Sequence, residues 1–172
     1  MTTQTAIRRV MTCAAMAALG LVAPAGAQTP TAHNLQLSNA SESVDAQGRF
    51  VLVANVAGDL PGVLTLAMSV GPDGRVSGGE WALSVISNTV TGTSPDGATN
   101  TENVPQGTLK GSVTGGFTGV GSDGLLTDLN GVQIAINGAT QQFATVTSGT
   151  GSASGNHMND QSASNGTLTL SF

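Results

Sequence analysis

The stretch RFVLVANVAGDLPGVLTLAMSV, residues 49–70, decides the fold. In its second half, apolar residues at positions 64, 66, 68 and 70 alternate with small or polar residues at 65, 67 and 69. A period of two residues is typical of a β-strand with one apolar face. Because the intervening AGDLPG carries Gly58, Pro61 and Gly62, which favour turns, the stretch predicts a β-hairpin.

In the rest of the chain, turn residues again separate short apolar runs, from the turn GPDGR at residues 71–75 to the final GTLTLSF at residues 166–172. About eight or nine short strands with frequent turns predict an all-β antiparallel domain, a small soluble barrel with a β-sandwich as the alternative. We assign this domain to residues 48–172. Residues 28–47 form a polar segment, although HNLQLSN within it has the pattern of a first strand.

Some segments within the domain predict local features. Gly78 and Gly79 interrupt a strand and predict a bulge or a close backbone contact. Residues 91–106, TGTSPDGATNTENVPQ, predict the longest loop, since they are polar and rich in strand breakers. QFATVTS predicts a strand, and residues 148–165 read as a stretch rich in Gly, Ser and Asn.

The closing GTLTLSF raises the alternative of an outer-membrane barrel, whose strands face lipid and carry aromatic girdles at both interfaces. Beyond the first 27 residues, however, the chain has four Phe, one Trp and no Tyr. Five aromatic residues cannot form two girdles, and several strands look short for a bilayer. The sequence therefore favours the soluble barrel, with Phe172 as a core residue and no membrane span.

The first 27 residues have the pattern of a cleaved signal peptide, with a cut before Gln28. Arg8 and Arg9 precede an apolar run that ends at Pro24 and a small-residue triplet. The arginine pair also admits twin-arginine export, but Thr12 stands where that signal prefers an apolar residue. Since Cys13 lies in the leader, the mature chain would contain no disulfide. These features predict a periplasmic or extracellular protein.

Composition excludes one class of partner. Without the leader, three cationic residues stand against ten carboxylates, a net charge of −7. Nucleic-acid binding depends on neutralising phosphates with cations, so this balance argues against it. The chain also holds 24 glycines in 172 residues, about twice the usual share, which disfavours helices.

Few residues have the pattern of a catalytic or metal site. His33 and His157 are the two histidines, and both are expected to be solvated loop residues rather than a catalytic base. Zinc needs three or four converging ligands, which two scattered histidines do not supply. Asp96, Asn100 and Glu102 offer oxygen ligands for calcium, but their spacing is not that of an EF-hand. We expect a polar turn there and no cofactor or metal.

Glu80 stands apart from the other acids because it lies in a strand pattern beside Trp81. An inward carboxylate would have a raised pKa and would be a functional candidate. Alternation places Trp81 with Leu83 and Val85 on the core face, so we expect Glu80 to face water. Most other acids lie near Gly or Pro, where they can cap turns.

The stretch VQIAINGATQQFATVTSGTGSASG, residues 132–155, resembles part of the small barrels of the dirigent and allene-oxide-cyclase-like group. In that group a strand runs into a glycine-rich turn, an aromatic residue and a return strand of small residues. Here residues 137–140 and Phe143 occupy comparable places, while Ala139 and Gln141 replace two of the glycines. The resemblance implies an eight-stranded barrel around an apolar cavity and assigns no catalytic residue.

Three functions follow from these patterns. The first is an exported, non-enzymatic β domain that acts by surface contact or as a cell-envelope component. The second is a carrier or isomerase-like barrel for a small apolar ligand, and the third is a self-assembling or adhesive surface protein. The residues expected to line a pocket in the second case are Leu64, Leu66, Met68, Trp81, Leu83, Phe117 and Ile134.

Overall fold

The computed structural model describes residues 29–97 and 99–172, which form eight β-strands and one short 3-10 turn. The strands are β1 (Ala32–Val44), β2 (Phe50–Ala57), β3 (Gly62–Val70), β4 (Val76–Thr93), β5 (Thr99–Val120), β6 (Leu126–Ala139), β7 (Gly149–Asn156) and β8 (Asn165–Ser171). The predicted signal peptide, residues 1–27, lies outside the described residues.

The strands form a closed up-and-down barrel in which each strand pairs antiparallel with its neighbour in sequence. β8 closes the barrel by pairing with β1, with Leu168 opposite Leu35 and Ser171 opposite Ala32. The prediction of an all-β antiparallel barrel is confirmed, and the sandwich alternative is wrong. Because β1 supplies one wall, the barrel begins at Ala32, inside the segment 28–47 that the sequence set apart.

Large aliphatic side chains from around the barrel meet in its interior. Leu35, Leu52, Leu64, Leu109 and Leu168, which belong to five different strands, are all 0% exposed. Each stands in a strand whose neighbouring residues point outward, so the two-residue period of the sequence produces the core. Burial of this apolar surface is the main favourable term in folding.

β7 contributes its backbone and the methyl group of Ala153 to the core, and no larger side chain. Its buried residues are Ala153 and Gly155, and Gly151 also faces inward. A Cβ on Gly151 would lie 2.8 Å from Leu170 Cδ2 and 3.2 Å from Ile134 Cγ1. Side chains of the strands on either side therefore fill the space in front of β7, and its glycines permit that close approach.

Residues 91–106 do not form the predicted loop. β4 and β5 continue to pair as far as Thr93 and Thr99, so most of this segment is a long hairpin with a turn at residues 94–97. The breaker residue Pro105 is accommodated at a register shift, where Val85 pairs with Gly107 and Ile86 with Pro105. A proline at a bulge loses no ladder hydrogen bond, which is why the strand survives it.

Other strand boundaries also differ from the sequence pattern. QFATVTS, residues 142–148, was expected to be a strand, but it overlaps the 3-10 turn Gln141–Phe143, and the return strand is β7 in the glycine-rich stretch that follows. GTLKGSV and GGFTGV are parts of one strand, β5. The predicted hairpins on either side of β3 are confirmed, as is the close contact at Gly79, whose Cβ would collide with the carbonyl of Ala67.

The outer face of the barrel carries mainly small and polar side chains. On β7 and β8, for example, Ser152 and Thr169 face outward with their hydroxyl oxygens 3.1 Å apart. Apolar residues therefore lie inside and polar residues outside, whereas a lipid-facing barrel has an apolar outer band. Among the side chains that the structure describes, the exposed large hydrophobic ones are Val44, Val53, Phe117, Val120 and Leu125.

Among the described residues, no helix has both the length and the hydropathy needed to cross a membrane.

Candidate functional site

The interior residues that the sequence proposed as a ligand pocket are brought together, but they pack against one another. Leu64, Leu66, Met68 and Leu83 are 0% exposed. A cavity large enough for a water molecule would give its lining atoms accessible surface, so no such space adjoins these four side chains. Trp81 and Ile134, at 3% and 2% exposure, lie in the same core. Side chains fill this part of the barrel, as in small barrels without a ligand.

Phe117 is separate from the other six residues. It lies on β5 with 54% of its surface exposed, while the following Thr118 is buried. Val113 and Thr118 both face inward although they are five positions apart, an odd spacing that a regular strand does not allow. Register shifts on either side of Gly115 account for this reversal and place Phe117 outside.

A groove of about 510 Å³ lies on the outside of the barrel, across β3, β4, β5 and β6. We call it the outer groove. The residues that line it are Thr65, Ala67, Gly79, Glu80, Trp81, Ala82, Lys110, Gly111, Ser112 and Asn137. Most of these are small, so four adjacent strands present a shallow surface between one carboxylate and one ammonium group.

Strand register determines which side chains reach the outer groove. Leu66 pairs with Trp81, and Trp81 pairs with Gly111, so these three positions face inward. The next positions along each strand must face outward. Glu80 therefore stands between Ala67 and Ser112, and Ala82 stands between Thr65 and Lys110. The expectation that Glu80 faces water and Trp81 the core is confirmed, since the Glu80 side chain is 75% exposed.

Glu80 is held at the rim of the outer groove by Arg49. The Arg49 guanidinium donates from Nη1 to Glu80 Oε1 at 2.9 Å and from Nε to Asp45 Oδ2 at 2.8 Å. The backbone N–H of Arg49 also donates to Asp45, and this hydrogen bond is the largest cause of a lowered pKa for the Asp45 carboxyl; the Arg49 side chain lowers it further. The two carboxylates raise the pKa of Arg49.

Lys110 also lines the outer groove, on β5 opposite Ala82, and is exposed. No carboxylate of the described residues lies within 4.0 Å of its ammonium group, in contrast to Arg49. The aliphatic stem lies near Gly138, where a Cβ would be 3.7 Å from Lys110 Cε. Beside it, Asn137 Nδ2 donates to Ser112 Oγ at 3.1 Å. The outer groove thus offers a cation, an anion and hydrogen-bonding groups around an apolar floor.

The two histidines occupy different environments. His33 is not the solvated residue expected from the sequence: its side chain is 17% exposed, and its ring stacks on that of Phe172 with centroids 4.8 Å apart. Its Nδ1 lies 3.7 Å from Asp59 Oδ2. The reason is that HNLQLSN is a barrel strand, in which His33 shares the inward face of Leu35 and Leu37. His157 lies in the exposed β7–β8 turn, as expected.

Glu42 is a partly buried carboxylate that the sequence did not reveal. Its Oε2 accepts a hydrogen bond from the backbone N–H of Leu126 at 2.7 Å, while its buried Oε1 has no partner among the described residues. Burial raises the pKa of Glu42; the Leu126 hydrogen bond opposes that rise, and the charge of Asp123 adds to it. A bulge between Ser38 and Ser41 reverses the alternation of β1, which no sequence motif signals.

The acidic residues proposed as calcium ligands do not gather into a described site. Asp96 lies in the turn at residues 94–97, the side chain of Asn100 is outside the described part of the structure, and Glu102 is exposed on β5. Within the described residues, no three His, Cys, Asp or Glu side chains are grouped as metal ligands. Asp73 and Asp123 cap turns, as predicted, by accepting from the N–H groups of Arg75 and Leu125.

Comparison with known proteins gives no match to a family model, a curated protein or a solved structure. The resemblance of residues 132–155 to the dirigent-like barrels stays a prediction.

Proposed function

We propose that this protein is an exported, non-enzymatic β domain that acts through contact of its outer surface, and that the outer groove is the contact site. One observation carries the proposal: core side chains such as Leu66 and Leu83 are 0% exposed, whereas the outer groove is open between Glu80 and Lys110. The free space of the molecule therefore adjoins its exterior and not these core residues.

The chemistry of the outer groove suits a component of the cell envelope. Ala67 and Ala82 provide an apolar floor, and the exposed Lys110 provides a cation without an ion-pair partner among the described residues. Glu80 already interacts with Arg49, so it supplies a fixed negative charge at the rim. A partner with a small apolar segment next to a carboxylate would complement this arrangement, since its charge would meet Lys110.

Filling the outer groove tests this proposal. In Ala82→Arg the new side chain would occupy the floor beside Lys110 without entering the core. Thr167→Arg, on the exposed face of β8, is the matched control because it adds the same charge elsewhere. Co-sedimentation of the purified mature protein with isolated cell envelopes of the source organism measures binding. We expect Ala82→Arg to weaken binding at least tenfold and Thr167→Arg to leave it within twofold. Equal binding by all three proteins would contradict the proposed site.

Export is tested separately. The full chain is expressed in the source organism, and its location and N-terminus are determined by cell fractionation and mass spectrometry. The signal-peptide prediction expects a mature protein in the periplasm or the medium that begins at Gln28. An intact chain that begins at Met1 in the cytosolic fraction would contradict it.

A small ligand with an apolar body is a second candidate occupant of the same site. The volume of about 510 Å³ favours it, because ligand sites commonly measure roughly 300–1,000 Å³. Native mass spectrometry of the protein purified from its source would show a mass increment that Ala82→Arg abolishes. A Trp81 fluorescence response to a panel of lipophiles would support the same conclusion. The absence of both signals would remove this candidate.

A further inference from the structure

The β4–β5 hairpin extends beyond the rim of the barrel. β3 begins at Gly62, which pairs with Val85, and β6 ends at Ala139, which pairs with Leu109. Past these pairs β4 and β5 continue together from Ile86–Pro105 to Thr93–Thr99. We call this two-stranded extension, residues 86–105, the β4–β5 arm. Its strand from β4 has eight residues, or about 26 Å at the usual rise.

The arm differs in composition between its two edges. The edge formed by β4, ISNTVTGT at residues 86–93, contains no charged residue and no proline. The edge formed by β5 contains Glu102 and Pro105. Charges and prolines are the usual means by which proteins prevent an edge strand from pairing with another chain. The β5 edge has this protection and the β4 edge does not.

The backbone of the β4 edge is oriented for pairing. Ile86 N–H donates to the carbonyl of Pro61 at 2.8 Å, so it points away from β5, toward the side of β3. In an antiparallel ladder alternate residues point their N–H and C=O groups to the same side. Asn88 and Val90 therefore present these groups on the same side as Ile86. β3 does not extend beyond the Gly62–Val85 pair, so no described strand pairs with Asn88 and Val90 on that side.

We infer that the β4 edges of two copies of this protein pair antiparallel across a twofold axis to form a dimer. The mature surface carries a net charge of −7 that repels a second copy over most approaches, whereas residues 86–93 carry none. Twofold pairing satisfies both β4 edges at once and closes the assembly. Pairing of a β4 edge with a β5 edge would instead place Glu102 in the interface and lose one hydrogen bond at Pro105, which has no N–H. It would also leave one edge free on each copy, so the assembly would continue into a filament.

Proline substitutions at one residue pair of the arm test the dimer. Asn88 and Asn103 are opposite each other, and by the alternation set at Ile86 their N–H groups point to opposite edges. Asn88→Pro removes a donor from the β4 edge, and Asn103→Pro removes one from the β5 edge. Neither substitution removes a hydrogen bond between β4 and β5. Sedimentation velocity of the mature protein from about 10 µM to about 1 mM gives the dimer dissociation constant.

We expect the unmodified protein to dimerise in this range, Asn88→Pro to weaken the dimer at least tenfold, and Asn103→Pro to change it less than threefold. Val90→Lys and its cross-strand partner Thr101→Lys provide a second matched pair that places one charge on each edge. Hydrogen exchange adds a measurement on the unmodified chain, in which the Asn88 and Val90 amides should become protected with rising concentration and the Asn103 amide should not.

A monomer throughout this concentration range would overturn the inference. Equal effects of the paired substitutions, or unchanged exchange at Asn88 and Val90 in a chain that does dimerise, would also overturn it. The arm lies apart from the residues that line the outer groove, so these results and those for Ala82→Arg are independent.

Discussion

The indole N–H of Trp81 on β4 donates to the carbonyl oxygen of Ala135 on β6, 2.9 Å away. The two strands are not neighbours, because β5 lies between them. Gly111 is the residue of β5 that pairs with Trp81, and a Cβ there would lie 2.9 Å from Trp81 Nε1. The hydrogen bond therefore spans three strands only because position 111 has no side chain.

Gly111→Ala should destabilise the barrel by about 1–3 kcal/mol, the range for overpacking a filled core. The added methyl group would meet Trp81 and the backbone of Ala135, neither of which can move freely. The measurement is urea unfolding followed by circular dichroism. Gly138→Ala, where a Cβ meets only Lys110 Cε at 3.7 Å, is the control and should change the free energy of unfolding by less than about 0.5 kcal/mol. Equal effects at the two glycines would contradict the close approach at Gly111.

Leu66→Ala tests whether the interior is filled. Leu66 is 0% exposed, so its truncation should leave a cavity and lower the free energy of unfolding by about 2–5 kcal/mol. The neighbouring Thr65 faces outward, and Thr65→Ala should cost less than about 0.5 kcal/mol. Chemical denaturation of both variants gives the comparison. A loss below about 1 kcal/mol for Leu66→Ala would indicate that the barrel already contains free space there.

Glu42→Gln should stabilise the protein at neutral pH. Burial raises the folded-state pKa of Glu42 above its unfolded value of 4.5, so the folded protein holds this proton more tightly than the unfolded chain. Stability then falls as pH rises from below 4.5 through the raised folded-state pKa. Glu42→Gln should therefore have a higher free energy of unfolding than the unmodified protein above the raised pKa, and the same free energy well below pH 4.5. Urea midpoints at pH 4 and pH 7 measure it, with the exposed Glu102→Gln as the control. A pH-independent difference would indicate that the charge of Glu42 is not responsible.

Asp45→Asn should show the opposite pH dependence. Hydrogen bonds from Arg49 hold the folded-state pKa of Asp45 below its unfolded value of 3.8. Its charge therefore stabilises the fold above that value, and the contribution is lost as pH falls through the lowered pKa. We expect a lower urea midpoint for Asp45→Asn at pH 7 and no difference once both forms are neutral in acid. Asp73→Asn, at a turn capped by one hydrogen bond, should cause a smaller change. An equal change in the urea midpoints of Asp45→Asn and Asp73→Asn would argue against the role of Arg49.

The sequence predicted the fold where one face of a strand is apolar and the other polar. Alternation in Gly62–Val70 and in the final strand identified the residues that pack inside, and turn residues such as Pro61 and Gly74 marked the hairpins. Alternation failed at the bulges, which reverse the faces of the strand. The bulge before Ser41 turned Glu42 inward, and the shifts around Gly115 turned Phe117 outward.

Strands without large side chains were also missed. β7 was hidden in a glycine-rich stretch because its neighbours, and not its own residues, fill the space in front of it. The outer groove could not be predicted from spacing alone, since it depends on the register of four strands. Glu80 and Lys110 are 30 positions apart, and only the pairing of β4 with β5 shows that they border the same surface.

The pairing of β1 with β8 has a consequence for synthesis of the chain. These strands are adjacent in the sheet but stand at opposite ends of the folded sequence, with Leu35 facing Leu168. During translation β1 cannot pair with β8 until β8 has left the ribosome. Contacts between residues so distant along the chain also form slowly. The barrel therefore closes only after β8 has been translated, although the earlier strands pair with neighbours in sequence.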